Sequence, residues 1–71
     1  MLSFQIVDSG KAIQVFCDDD GLDMLIAKLT NMKNENLGHI HLRTPSAGGD
    51  ILNDKTPWGD DAIAEVIIST N

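Results

Sequence analysis

Two histidines separated by one residue, His39 and His41, with Arg43 two positions on, are the side chains best placed for chemistry in this chain. In an extended strand successive side chains alternate between faces, so His39, His41 and Arg43 share one face while Ile40 and Leu42 share the other. Two imidazoles on one face could begin a zinc or iron centre, but such a centre needs at least a third ligand. The candidates for that ligand are Asp50, Asp54, Asp60, Asp61 and Glu65, whose spacing fixes none of them, and Arg43 on the same face would repel a cation. No metal is therefore expected, and a metal- or small-ligand-binding role for His39 and His41 stays as the alternative reading.

Other reactive groups lack a setting. Cys17 has no local motif and reads as a small buried hydrophobe at a strand end. Ser3, Ser9, Ser46 and Ser69 have no G-x-S-x-G context for a nucleophile. Gly48-Gly49 lacks the rest of a phosphate-binding loop or a dinucleotide fingerprint. The run Asp18-Asp19-Asp20 lacks the alternating oxygen ligands and terminal glutamate of a calcium loop. It does suit the start of a helix, where carboxylates cap backbone N–H groups and complement the dipole. No catalytic set and no cofactor are expected, and the chain reads as non-enzymatic.

The elements that must position these residues follow from periodicity. Leu2, Phe4 and Ile6 alternate with polar residues and predict a strand. Asp8-Ser9-Gly10 predicts a turn, with Gly10 taking positive φ, and Lys11 to Cys17 the returning strand. Leu22, Leu25, Ile26, Leu29 and Met32 form one apolar stripe and predict a helix of about three turns. Asn34-Glu35-Asn36 ends it, and Leu37 to Thr44 is the histidine strand. Pro45, Gly48 and Gly49 open a turn-rich loop in which Ile51-Leu52 reads as a short strand or an apolar latch. Ala62 to Thr70 is the last strand, apolar on both sides and hence expected in a central position.

The order β-β-α-β-(loop)-β predicts an α+β fold, with a single helix packed on one face of a small, mostly antiparallel sheet. Leu2, Phe4, Ile6, Ile13, Val15, Ile40 and Leu42 are expected under the helix. Ser3, Gln5, Gln14, Phe16, His39, His41 and Arg43 are expected on the open face. Trp58, between Pro57 and Gly59 and followed by Asp60-Asp61, is expected either as a lid on the core or as an interface anchor beside acidic residues.

Seventy-one residues make one domain, residues 1-71, too small to bury a large fraction of its surface. With 42% hydrophobic and 23% charged residues it has the composition of a folded chain, not a disordered one. Five basic against 11 acidic residues, a formal charge of -6, repel nucleic acid and anionic membranes and favour a basic protein partner. A single cysteine excludes an internal disulfide, and no stretch reads as a leader or a membrane span. A soluble cytoplasmic protein is the expectation.

The segment His39-Ile40-His41-Leu42-Arg43-Thr44-Pro45, followed by Gly48-Gly49-Asp50-Ile51-Leu52, resembles the immunity protein 32 family of bacterial polymorphic toxin systems. The resemblance implies a small α+β protein that neutralises a cognate protein toxin by direct binding. It marks His39, His41, Thr44, Pro45, Gly48, Gly49 and Leu52 as motif positions. The toxin-binding candidates are His39, His41, Arg43, Trp58, Asp60 and Asp61. Thr44, Pro45, Gly48, Gly49 and Leu52 are expected to hold the turn, with His41 bonding that loop. A basic nuclease is the toxin that the negative charge suits best. A homodimer through open sheet faces or edge strands is the third reading.

Overall fold

The structure, a computed structural model, describes residues 1–70. Strand β1 (Leu2–Val7) and strand β2 (Ala12–Cys17) form an antiparallel hairpin in which Leu2 opposes Cys17 and Val7 opposes Ala12. Asp8, Ser9 and Gly10 all take positive φ at its turn. Aspartate tolerates this conformation and glycine adopts it freely, so the turn reverses the chain over three residues.

Helix α1 (Asp19–Asn34) follows immediately. Asp18 caps it, accepting from the Gly21 N–H at 2.8 Å and from the Met1 ammonium at 2.6 Å. Gly21 is required where the two segments meet, because a Cβ there would lie 1.7 Å from the Met1 carbonyl oxygen. At the other end Asn36 is left-handed (φ 59), and the Leu37 N–H donates to the Met32 carbonyl at 3.0 Å. This backward bond closes the last turn of the helix, with Asn36 in the position that glycine usually occupies.

Strand β3 (His39–Arg43) and strand β4 (Glu65–Ser69) form a second antiparallel pair, with His41 opposite Ile67 and Arg43 opposite Glu65. The architecture is thus α+β, one helix with two two-stranded antiparallel sheets. The last strand, expected to be central, pairs with β3 alone among the described residues. Its inner face, Val66 and Ile68, packs on the core, while Ile67 on the outer face is 54% exposed.

The core is Leu2, Phe4, Leu42 and Leu52, with Leu25, Ile40, Ile51, Ile63, Val66 and Ile68 against it. Several expected positions fall elsewhere. Ile6, Ile13 and Val15 are exposed, as are Leu22, Ile26 and Leu29 of the helix stripe, and the helix reaches inward through Leu25 and Met32. The segment 44–64 takes the place these side chains were expected to fill, delivering Ile51, Leu52 and Ile63. The hairpin tip therefore projects from the core, and the radius of gyration is 12.3 Å, above the roughly 11 Å of a compact chain this long.

Two further positions differ from expectation. Cys17 is an exposed free thiol and not a core residue, because it lies on the outer strand of the hairpin. Ser3, expected on the open face, is fully buried. It opposes Phe16, onto which Trp58 packs, so the turn carrying Trp58 folds over that face.

Segment 44–64 is tied to the outer edge of β1. The Asn53 N–H donates to the Leu2 carbonyl at 2.8 Å, the Leu2 N–H to Asn53 Oδ1 at 2.9 Å, and the Ile63 N–H to the Phe4 carbonyl at 2.8 Å. Leu52 is 2% exposed, so Leu52→Ala should cost about 2–5 kcal/mol, a large part of the stability of so small a domain. Asn53→Ala strands the Leu2 N–H and should cost about 1–3 kcal/mol. Ile26→Ala, on the exposed side of the helix, should cost less than either. Chemical denaturation of the three variants checks the ranking.

Candidate functional site

The outer face of the β3–β4 pair carries His39, His41 and Arg43 on one strand and Glu65, Ile67 and Ser69 on the other. Antiparallel pairing sets Glu65 directly opposite Arg43, and the guanidinium Nε donates to Glu65 Oε2. His41 Nδ1 lies 3.1 Å from the same oxygen and 3.4 Å from Arg43 Nη2. The two imidazoles meet edge to face, with centroids 5.0 Å apart and planes at 76°. One carboxylate thus organises a histidine and an arginine across two strands, with the second histidine edge-on to the first. Hydrogen bonds from Arg43 and then His41 hold the Glu65 carboxyl below its usual pKa.

This arrangement bears on a metal at the histidine pair. The nearest carboxylate is Glu65, and the Arg43 guanidinium already occupies the place a shared cation would take. Among the described residues no three His, Cys, Asp or Glu side chains converge as a metal site.

The motif that follows the strand builds a tight structure. Thr44 is buried, donates its N–H to the Ala64 carbonyl at 3.0 Å, and accepts from Ala47 at 3.0 Å and Gly49 at 2.9 Å. Pro45 opens a single 3₁₀ turn, Pro45–Ala47, which Gly48 ends at φ 89. Gly49 lies against Arg43, where a Cβ would come 2.5 Å from the Arg43 Cβ and 2.7 Å from its carbonyl oxygen. The Leu52 N–H then returns to the Arg43 carbonyl at 3.0 Å, and its side chain enters the core. The motif residues thus fix the end of the histidine strand. His41 takes no part in the loop; it bonds Glu65.

The remaining candidates lie apart from the histidines. Trp58 is 69% exposed, so it is not a lid on the core, and its ring meets Phe16 of β2 edge-on at 5.0 Å. That contact gives Phe16, expected on the open face, an aromatic neighbour there. Asp60 accepts from the Thr56 N–H through its carbonyl at 2.8 Å, and Asp61 pairs with Lys55, whose pKa it raises. Asp54 receives the Ser46 N–H at 3.3 Å, and bonding from the Ser46 side chain is the main influence lowering its pKa. Thr44, Ser46, Asp54, Lys55 and Asp61, with Ala62 and Ala64, border an open hollow of about 450 Å³.

Glu65, Ile67 and Ser69 are the members of the β3–β4 face that the sequence did not single out as interface residues. The alternation Glu65, Ile67, Ser69 against Val66, Ile68 was the available signal. Comparison with family models, with curated proteins and with solved structures gave no match.

Glu65, Asp54 and Asp18 are more acidic in the folded chain than their ordinary values of 4.5, 3.8 and 3.8. Their contribution to stability is present above that range and is lost as pH falls through the folded pKa values. Lys55 has the opposite sign, contributing below 10.5 and losing its effect as pH rises beyond it. Acid unfolding should therefore begin below about pH 4, and Glu65→Gln should flatten the acid limb relative to the parent chain. Thermal melts from pH 7 to pH 2 check this.

Proposed function

We propose that the protein is a non-enzymatic binding protein, an immunity protein that neutralises a cognate bacterial toxin in the cytoplasm by occupying its surface. The observation that carries the reading is the outer face of β3–β4. Ile67, 54% exposed, stands directly opposite His41 among His39, Arg43, Glu65 and Ser69. A central apolar side chain within a polar rim is the usual anatomy of a protein interface, and arginine is enriched at its energetic centre. The bonding among Arg43, Glu65 and His41 orders the rim in advance, so less side-chain entropy is lost when a partner docks.

The motif resemblance from His39 to Leu52 supports the same reading, since its residues end the strand that presents this face. The charge of -6 supports a basic toxin, such as a nuclease, by accelerating encounter and by offering carboxylates to a groove built for phosphates. Trp58, Asp60 and Asp61 form a separate exposed projection that extends the contact only if the toxin is large enough to reach the Phe16 side of the molecule.

The test is co-expression with the toxin encoded beside it, followed by purification and a growth-protection assay. The expected result is a stable complex and protected cells. Ile67→Ala and His41→Ala should each weaken the complex about tenfold or more, with melting temperatures close to that of the parent protein. Failure to bind any neighbouring gene product, or turnover of a substrate by the purified chain, counts against the proposal.

A further inference from the structure

The hairpin β1–β2 presents an unprotected strand edge. Among the described residues β2 has β1 on one side and no strand on the other, and all its residues except Phe16 are exposed, Ile13 at 64% and Val15 at 44%. The backbone direction on that edge follows from β1. Leu2 and Phe4 use their main-chain groups to bond Asn53 and Ile63, on the side away from β2. In an antiparallel ladder alternate residues point to opposite sides, so Ser3, Gln5 and Val7 are the ones that bond β2. Their registered partners are Phe16, Gln14 and Ala12. Ile13, Val15 and Cys17 must therefore direct their N–H and C=O groups outward from the sheet.

Natural edge strands are usually blunted by proline, a bulge or a charge within the strand. Ala12–Cys17 has none of these, and its register with β1 is unbroken. The charges stand instead at its two ends, Lys11 before it and Asp18, Asp19 and Asp20 after it.

We infer that a second copy of this chain pairs with the open edge of β2, antiparallel about a twofold axis at Val15, to make a four-stranded sheet β1-β2-β2-β1. A twofold perpendicular to the sheet keeps each face on its own side, so residues of equal parity must oppose one another. Centring on Val15 sets Val15 against Val15 and Ile13 against Cys17. That register engages all three outward residues of each strand and forms roughly six inter-strand hydrogen bonds. It also sets Lys11 of each copy beside the Asp18–Asp20 run of the other, twice in the dimer. This local attraction offsets the repulsion between two chains of charge -6. Exposed β-branched residues on the paired strands then shield one another across the join. The surface is distinct from the β3–β4 face, so the inference stands independently of the proposed toxin.

Light scattering on the purified full chain over a concentration series, together with far-ultraviolet circular dichroism, tests the inference. The expected result is a mass rising from 7.7 kDa to twice that value. Val15→Lys sets two like charges face to face on the axis and should leave a folded monomer. Val15→Pro removes an outward N–H without touching the bonds to β1 and should do the same. Lys11→Glu should weaken the dimer roughly tenfold and reverse its response to salt, so that added salt tightens it by screening the repulsion that remains. A parent chain that stays monomeric at NMR concentrations overturns the inference. So does a dimer that survives in Val15→Lys, or in Val15→Pro with its circular dichroism intact, which would indicate pairing through another face.

Discussion

The outer edge of β1 joins the two halves of the molecule. β1 bonds β2 on one side, and on the other it receives Asn53 and Ile63 from the segment that connects β3 to β4. Without that second set of bonds, the β1–β2 hairpin and the β3–β4 pair would be two separate two-stranded units. Each alone would be marginal in water. The connecting segment joins them into one core by delivering Leu52 beside the bonds its backbone makes to β1, with Ile51 and Ile63 also packed against that core. The Asn53 side chain completes the seam by satisfying the Leu2 N–H, which would otherwise be buried without a partner.

That constraint decides which surfaces are free. With the inner faces of β1, β3 and β4 committed to Leu52 and its neighbours, the polar face of β3–β4 looks outward, and Arg43, Glu65 and His41 order one another on it. With the outer edge of β1 occupied, the hairpin edge left open among the described residues is that of β2, whose outward groups are those of Ile13, Val15 and Cys17. A single seam thus accounts for both a preorganised polar face and an unprotected edge. The motif Thr44-Pro45 with Gly48-Gly49 acts at the hinge between them, turning the chain from the histidine strand into the seam. Gly49 permits this because no side chain fits against Arg43 at that point.

Much of this was legible in the residues. The alternation in Leu2–Ile6 and in His39–Arg43 placed two strands and put the histidines with Arg43 on one face. Asp18 read as a helix cap and is one. Asp8-Ser9-Gly10 read as a turn and forms one, and of the two readings of Ile51-Leu52, a short strand or an apolar latch, the second describes their packing in the core. The less legible parts share a physical cause. The pairing of β3 with β4 is separated by residues 44–64, and no short turn sets its register, so the partnership of Glu65 with Arg43 and His41 could not be deduced. The core contributions of Ile51, Leu52 and Ile63 come from aperiodic chain, where burial leaves no repeat to detect. The stripe Leu22, Ile26, Leu29 has helical spacing, which establishes a helix but does not establish what covers it. The neighbour of Phe16 is Trp58, distant in sequence, so their contact was not legible either.

The central claim is that the connecting segment is a built part of the core and not a loose loop, and native-state hydrogen exchange tests it most directly. The amides of Leu52, Asn53 and Ile63 should exchange as slowly as those in the β1–β2 and β3–β4 ladders and should become labile only with global unfolding. Exchange at these three amides at the rate of unstructured chain, while the strand amides stay protected, would contradict the account.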